Sequence, residues 1–127
     1  MMTLYSNPNH EVIYRIMELL PTVEEGLEHM IGQLEELRLE ESAVLFQDVS
    51  EAISSIANNL VRLIPEQDGA ETLQSTGQIR EAIGAMIDGY EVSNLVLIYT
   101  ALVNHLLPAF NVWRQHVEHL LGPSIMS

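Results

Sequence analysis

The chain has 127 residues, the size of one domain and enough to bury a hydrophobic core without covalent crosslinks. It has no cysteine, which excludes disulfides, thiol catalysis and cysteine-based metal centres. Eighteen acidic residues stand against five arginines and no lysine, giving a net charge of −13, so nucleic acids and anionic membranes would repel this surface.

The first predicted helix spans residues 8–38 and follows an N-terminal arm, residues 1–7. Asn7-Pro8 is a typical helix start, because Asn caps free backbone donors and Pro loses no hydrogen bond there. Apolar residues then recur at alternating steps of three and four from Ile13 to Leu37. Because this row continues in phase through Pro21, we predict a kinked helix and not a broken one.

Two more helices are predicted, over residues 42–64 and 70–89, after an acidic turn at residues 35–41. Pro65 ends the second helix, and Asp88-Gly89 marks the end of the third. Gly77 and Gly84 lower the helix propensity of the third segment. Its apolar stripe is predicted to consist of Leu73, Ile79, Ile83, Met86, Ile87 and Tyr90.

The last predicted helix covers residues 93–121, with Ser93 or Asn94 as its cap, and Gly122-Pro123 ends it before a tail, residues 122–127. Residues 95–113 carry no formal charge, which raises the question of a membrane span. Polar residues interrupt this stretch and its flanks lack a basic cluster, so we expect no span.

These elements predict an all-α, up-and-down four-helix bundle that forms a single domain, with Pro-kinked first and last helices. The first and last helices are expected to be antiparallel neighbours, with Pro21 and Pro108 at one level. Two matched bends could open a cavity there or curve together around a filled core. The predicted core is Ile16, Leu20, Leu27, Leu34, Val49, Ile56, Leu60, Ile83, Leu102, Leu106 and Trp113.

One short segment carries a family resemblance. Leu106-Leu107-Pro108 followed by Trp113 resembles the last helix of a family of small, uncharacterised bacterial helical proteins. The resemblance covers about a quarter of the chain, and Asn104 and His105 replace the acidic residues expected there. It implies a helical fold and transfers no activity and no site.

Histidines provide the one candidate metal site. The Glu-x-x-His pairs of a di-iron bundle are absent, since no Glu lies three residues before His29, His105, His116 or His119. His116 and His119 are one helical turn apart, with His10 expected nearby, so they could bind zinc or nickel. Alternatively, these histidines only complement the dipole of a helix C-terminus.

Catalysis has no support in the sequence. There is no nucleophile signature and no phosphate-binding glycine motif, and the carboxylates lie off the apolar rows, where a solvated surface explains them. We therefore expect a non-catalytic protein that needs no cofactor. The first residues lack the basic and apolar regions of a secretory signal, so a cytoplasmic location is expected.

The charge is distributed unevenly along the chain. Residues 1–41 carry nine Glu and two Arg, a net of −7, whereas residues 92–127 carry one of each. A second apolar face on the last helix would suit a homodimer or a partner helix. This face comprises Val96, Val103, Leu107, Phe110 and Val112.

The charge pattern and that second face lead to one functional hypothesis and two alternatives. The main hypothesis is a non-catalytic interaction module, an adaptor or chaperone-like protein that dimerises through its last helix. The first alternative is a bundle that binds a small ligand or a metal. In the second, the acidic end formed by the first two helices binds a basic protein partner.

Overall fold

The computed structural model describes residues 8–64 and 69–126, which form an all-α four-helix bundle without strands among them. The fourth helix is continuous but contains one wide π-helical turn. The helices are α1 (Pro8–Glu35), α2 (Leu39–Leu63), α3 (Ala70–Glu91) and α4, which joins Leu95–Ala101, the π turn Leu102–Leu106 and Leu107–Met126. The predicted N-terminal arm, the Asn7 cap and Pro65 lie outside the described residues.

The helices pack as neighbours in the order α2, α1, α4, α3, and α2 makes few contacts with α3. α1 and α4 run antiparallel, which two contacts fix. The Arg114 guanidinium lies 2.8 Å from a Glu24 carboxylate oxygen, and the Tyr99 hydroxyl donates to Glu35 at 3.0 Å. The ring of helices is therefore closed on three sides, and on the fourth side α2 and α3 meet at Tyr90, which contacts Ser42 and Phe46, and diverge along the rest of their length.

The inward rows of α1, α2 and α4 are those that the apolar spacing predicts. Every residue of the predicted core is buried except Ile83, which is half-buried and packs against it. In α1 the buried row runs from Ile13 to Leu34, and in α2 it runs from Phe46 to Leu60. The hydrophobic effect acting on a 3.5-residue period is sufficient to orient these helices.

The α1–α2 and α3–α4 connections are the same tight turn. Arg38 N–H donates to the Gln33 carbonyl at 2.8 Å, and Asn94 N–H donates to the Gly89 carbonyl at 3.1 Å. Both are the six-to-one bonds of a Schellman motif, which places one residue in the left-handed region. Those residues are Leu37 (φ 62°) and Ser93 (φ 52°), where glycine is the usual choice.

The turn corrects several predicted boundaries. Leu37 does not extend the α1 row, since it lies in the turn and is 75% exposed. Glu40 and Glu41 belong to the first turn of α2, where carboxylates complement the helix dipole. Asn94 caps α4 by accepting the Leu97 N–H at 3.0 Å, which confirms the predicted cap.

Three prolines lie inside helices without breaking them. α1 is continuous through Pro21, as predicted. Pro108 follows the π turn, which relieves the clash between its ring and the preceding backbone. The prediction that Gly122-Pro123 ends the last helix is wrong, because α4 continues to Met126. Gly122 has no Cβ to clash with the following proline ring, so helical backbone is tolerated there.

Pro21 and Pro108 do not share a level, contrary to the prediction. The Glu24–Arg114 and Glu35–Tyr99 contacts place Pro21 opposite the α4 turn that follows Arg114. That is about two helical turns, or on the order of 10 Å, away from Pro108. The sequence estimate counted from an α4 end at Leu121, and the helix is longer than that. The two prolines therefore do not open a joint cavity between α1 and α4.

One helix is long and apolar enough to cross a membrane by length and composition, namely Leu95–Pro123. The core helix of a bundle passes the same test. In this structure the row Leu102, Leu106 and Trp113 packs fully buried against the other helices.

Candidate interaction surfaces

The α3–α4 contact is closed by hydrogen bonds between small residues of α3 and large residues of α4. The Trp113 indole N–H donates to Thr76 Oγ1 at 2.8 Å, and Ser75 Oγ lies 3.0 Å from His116 Nδ1. At the other end Gly89 admits the Ile98 side chain, since a Cβ there would lie 2.8 Å from Ile98 Cγ1. The glycine predicted to end α3 therefore serves close packing instead.

The inward row of α3 differs in part from the predicted apolar stripe: Ile79 and Met86 are buried as predicted, and Ile83 and Tyr90 pack against the core. The buried positions follow alternating steps of three and four through polar and small residues, namely Thr72, Ser75, Ile79, Ala82, Met86 and Gly89. Leu73 and Ile87, both predicted to face the core, are 56% and 44% exposed. The small residues face inward because Trp113 and His116 of α4 occupy the space beside them.

A second row on α3 faces the open side of the bundle. It runs through Leu73, Gly77, Arg80, Gly84 and Ile87, at steps of four and three. Such spacing keeps all five positions on one helix face. This α3 outer row combines two exposed apolar ends, two glycines and one central cation.

The open side is a groove between α2 and α3. At its lower end a cavity of about 380 Å³ is lined by Val61 and Ile64 of α2 and by Leu73 and Gly77 of α3, over a floor that includes Leu60. Val61 is 68% exposed although it borders this cavity. A large apolar side chain left in water beside a recess forgoes about 1.5–3 kcal/mol of burial.

The upper end of the groove is polar on one wall only. A recess of about 570 Å³ lies between Glu51, Ser54 and Asn58 of α2 and Ile83 and Ile87 of α3. The α2 wall is thus hydrophilic and the α3 wall apolar along this half. A molecule lying here would meet different chemistry on its two sides.

Two polar groups of the groove are without internal partners. Thr72 is 2% exposed and lines the lower cavity, and its Oγ1 accepts and donates no hydrogen bond. An unsatisfied buried hydroxyl costs about 1–3 kcal/mol. Arg80 also lines the cavity and forms no ion pair with any residue that the structure describes. Of the two, only Arg80 is exposed and can pair with a bound molecule, because Thr72 Oγ1 is enclosed by the protein.

The space around each glycine differs between the filled helix contacts and the open groove. Gly26 faces Val49 of α2 at 2.8 Å from a built Cβ, and Gly89 faces Ile98 in the same way. Around Gly77 and Gly84 a Cβ would meet nothing within 4 Å. Each helical glycine costs about 0.5–1 kcal/mol relative to alanine, and at these two positions no neighbour in the described chain requires it.

The outer face of α4 is the surface that the sequence predicted for dimerisation, and it is smaller than predicted. Val96 and Val112 are exposed, and Val103 and Leu107 are half-buried. Phe110 is 0% exposed and belongs to the core, so its prediction as an interface residue is wrong. Phe110 lies in the α-helix that follows the π turn, three residues before Trp113 and seven before Val117, so ordinary helical spacing places it on the same buried face as those two residues.

Val112 also borders a recess of about 530 Å³ between α3 and α4, lined in part by His105 and Pro108. No charged residue lies in the α4 stretch 95–113. The exposed apolar positions of α4 therefore have no charged neighbour within that stretch of the helix, although Glu81 of α3 lines the same recess as Val112.

The predicted metal site at His10, His116 and His119 is not supported. His116 is engaged with α3, where its Nδ1 meets Ser75 and its Nε2 lies 3.8 Å from Glu71. Within the described ranges, no three His, Asp or Glu side chains are placed to hold one metal ion. His116 and His119 are one helical turn apart, but the contacts of His116 with Ser75 and Glu71 direct its ring toward α3.

Three pKa shifts in the described residues have clear causes, namely hydrogen bonds to surface carboxylates in two cases and partial burial of a tyrosine ring in the third. Hydrogen bonding to Glu118 raises the pKa of the Arg114 guanidinium, and hydrogen bonding to Glu35 raises the pKa of the Tyr99 hydroxyl. Burial raises the pKa of Tyr90, which stacks on Phe46 and shares a 2.8 Å hydrogen bond with Ser42. These pairings join helices and do not assemble an acid–base pair in a cleft.

The helix order and the open groove define an all-α four-helix bundle with one unfilled side. The family model for a domain of unknown function, DUF8042, matches residues 11–116, and the chain belongs to that family. The match spans most of α1, all of α2 and α3, and α4 as far as His116. No curated protein and no solved structure gives a significant match.

Proposed function

We propose that this protein is a non-catalytic, cytoplasmic interaction module that binds a helix of another protein, as an adaptor or chaperone-like factor does. The observation that carries the proposal is the exposure of Val61, Leu73 and Ile87 along the groove between α2 and α3. Helices are bound in apolar grooves of this kind by other helical proteins. The net charge of −13 favours a basic partner.

Site-specific crosslinking in the native host tests this function. A photo-crosslinking amino acid replaces Leu73 in the groove, and a control variant carries it in place of Glu28, which is exposed on α1. We expect one discrete adduct from position 73 that is absent from position 28. The same set of products from both positions, or none from position 73, would overturn the proposal.

The proposal includes self-association through the outer face of α4. A protein of net charge −13 repels its own copy over most of its surface, and the uncharged stretch 95–113 is where two copies approach most easily. Val96 and Val112 supply exposed apolar contact there. The dimer surface thus comprises Val96 and Val112, flanked by the half-buried Val103 and Leu107.

Sedimentation velocity checks the α4 dimer. We expect a dimer at micromolar concentration that dissociates in the double variant Val96→Glu, Val112→Glu, because each carboxylate would lose its water at the contact. Val44→Glu is the matched control, since Val44 is exposed on α2. A monomeric wild-type chain, or equal loss of the dimer in the control, would contradict this part.

A second candidate function is the binding of a small apolar molecule at the lower end of the groove. The cavity of about 380 Å³ favours it, since small-molecule sites have volumes of this order. Native mass spectrometry of the protein purified from its host tests it. A bound molecule that is absent from the double variant Leu73→Glu, Val61→Glu would support this function. A wild-type protein that carries no bound molecule would oppose it.

A further inference from the structure

The length of the groove between α2 and α3 and the residues at its centre restrict what can bind in it. The α3 outer row extends from Leu73 to Ile87, about 20 Å at 1.5 Å per residue. This length matches a helix of about four turns. The exposed apolar residues lie at the two ends of the row, and Arg80 lies in the middle.

Gly77 and Gly84 flank Arg80 at distances of three and four residues along the chain. Close approach of two helix backbones needs a missing Cβ, as Gly26 and Gly89 demonstrate within this bundle. The space over Gly77 and Gly84 is open, so a second helix can approach α3 at the same short distance. These glycines therefore permit close packing of a helix against α3.

Arg80 sets the charge of that helix. Arg80 lines the cavity, and its guanidinium has no carboxylate partner among residues 8–64 and 69–126. A helix covering the row would remove water from Arg80, and an uncompensated buried charge is unfavourable. The bound helix must therefore supply a carboxylate at its centre.

A second copy of this chain does not fit the groove through α3. Residues 73 and 87 are equidistant from residue 80, so two α3 helices related by a two-fold axis would place Arg80 against Arg80. Two guanidinium groups without a counter-ion in a helix contact repel each other. Charge therefore distinguishes a foreign helix from a copy of α3.

We propose that the α2–α3 groove binds one amphipathic helix of a partner protein, with apolar residues against Leu73 and Ile87, small residues over Gly77 and Gly84, and a carboxylate on Arg80. This inference rests on the proposed function and specifies the partner segment. It is independent of self-association through α4.

Binding of synthetic peptides to the full chain tests the inference. The probes are three helical peptides with leucine at the flanks and alanine over the glycines, identical except for Glu, Gln or Lys at the centre. Fluorescence anisotropy should give an affinity for the Glu peptide at least about tenfold above that for the Lys peptide. Arg80→Glu should reverse this order while leaving the thermal midpoint unchanged.

Steric variants locate the binding site. Gly84→Leu fills the approach space and should abolish binding of the Glu peptide. Gly32→Leu is the matched control, because Gly32 also has open space around it but lies on α1. Circular dichroism confirms that both variants remain helical.

Several outcomes would overturn the inference. These are no peptide binding, equal affinity for the Glu and Lys peptides, or equal loss in Gly84→Leu and Gly32→Leu. Sedimentation that reveals a dimer dissolved by Ile87→Glu would assign the groove to a second copy instead. A discrete crosslink from position 73 to another protein, combined with any of the three peptide results, leaves the proposed function standing and removes only the identity of the partner helix. A crosslink from position 73 to a second copy of the chain would overturn both.

Discussion

The two flanks of α3 differ in a way that hydrophobicity does not predict. The flank toward α4 uses Ser75 and Gly89, and it is closed by the Ser75–His116 and Thr76–Trp113 hydrogen bonds and by the fit of Ile98 onto Gly89. The flank toward α2 carries Leu73 and Ile87, and it is open. Small and hydroxyl-bearing residues pack a helix pair when the partner offers large side chains. Large apolar residues without such a partner are left in water.

The largest expected effect is on the closed flank. Trp113→Ala removes a fully buried ring together with its hydrogen bond to Thr76, so we expect a loss of about 3–5 kcal/mol in the free energy of unfolding. Urea denaturation followed by circular dichroism measures it. Val112→Ala, at the neighbouring exposed position, should stay within about 0.5 kcal/mol of wild type. Similar losses in the two variants would refute the closed packing of this flank.

A pair of glycine substitutions compares the flanks directly. Gly89→Ala places a Cβ 2.8 Å from Ile98 Cγ1 and 3.4 Å from its backbone nitrogen, and should destabilise by about 1–3 kcal/mol. Gly84→Ala meets nothing within 4 Å and should stabilise by roughly 0.5–1 kcal/mol, since alanine loses less entropy in a helix. Thermal and urea unfolding should therefore shift in opposite directions. A shift of the same sign in both would mean that the flanks are packed alike.

The two Schellman turns should give a smaller effect on the free energy of unfolding. Leu37 and Ser93 hold left-handed backbone, which costs an L-residue roughly 1–2 kcal/mol. Replacing either residue by glycine should raise the free energy of unfolding by about 1 kcal/mol, after the entropy cost of glycine. Leu37→Ala is the control, because it shortens the side chain without relieving the strain. A gain in the alanine variant equal to that in the glycine variant would attribute the effect to the exposed side chain.

The smallest effect is expected on the open flank. Leu73→Ser and Ile87→Ser change exposed side chains, so unfolding should move by no more than about 0.5 kcal/mol. The same substitutions should weaken the peptide binding proposed above. Loss of stability comparable to that of Trp113→Ala would place these residues in the core after all.

Much of the fold could be predicted from local patterns. The α1 and α2 rows and Asn94 as the α4 cap follow from spacing and side-chain chemistry that act within one helix. Helix α4 was predicted less well, because its apolar arc is wide and the sequence does not indicate which part of that arc is buried. Phe110, predicted to lie at the interface, is in the core on the same face as Trp113.

The candidate site was only partly predictable. Val96 and Val112 were identified from the missing charge on the last helix, and both are exposed. The groove was missed because Leu73 and Ile87 were assigned to the core stripe of α3. One signal was present in the sequence, since Gly77, Arg80 and Gly84 lie on the same helix face as those two residues.

The sequence by itself determined four amphipathic helices, an acidic surface and the inward rows of α1, α2 and most of α4. Those properties depend on the period of apolar residues and on side-chain charge, both of which act locally. Only the tertiary structure decided which of two equally spaced rows on α3 faces the core. That choice depends on the shapes of Trp113, His116 and Ile98 on a helix distant in the chain, and shape complementarity between helices is not encoded in the spacing of either one.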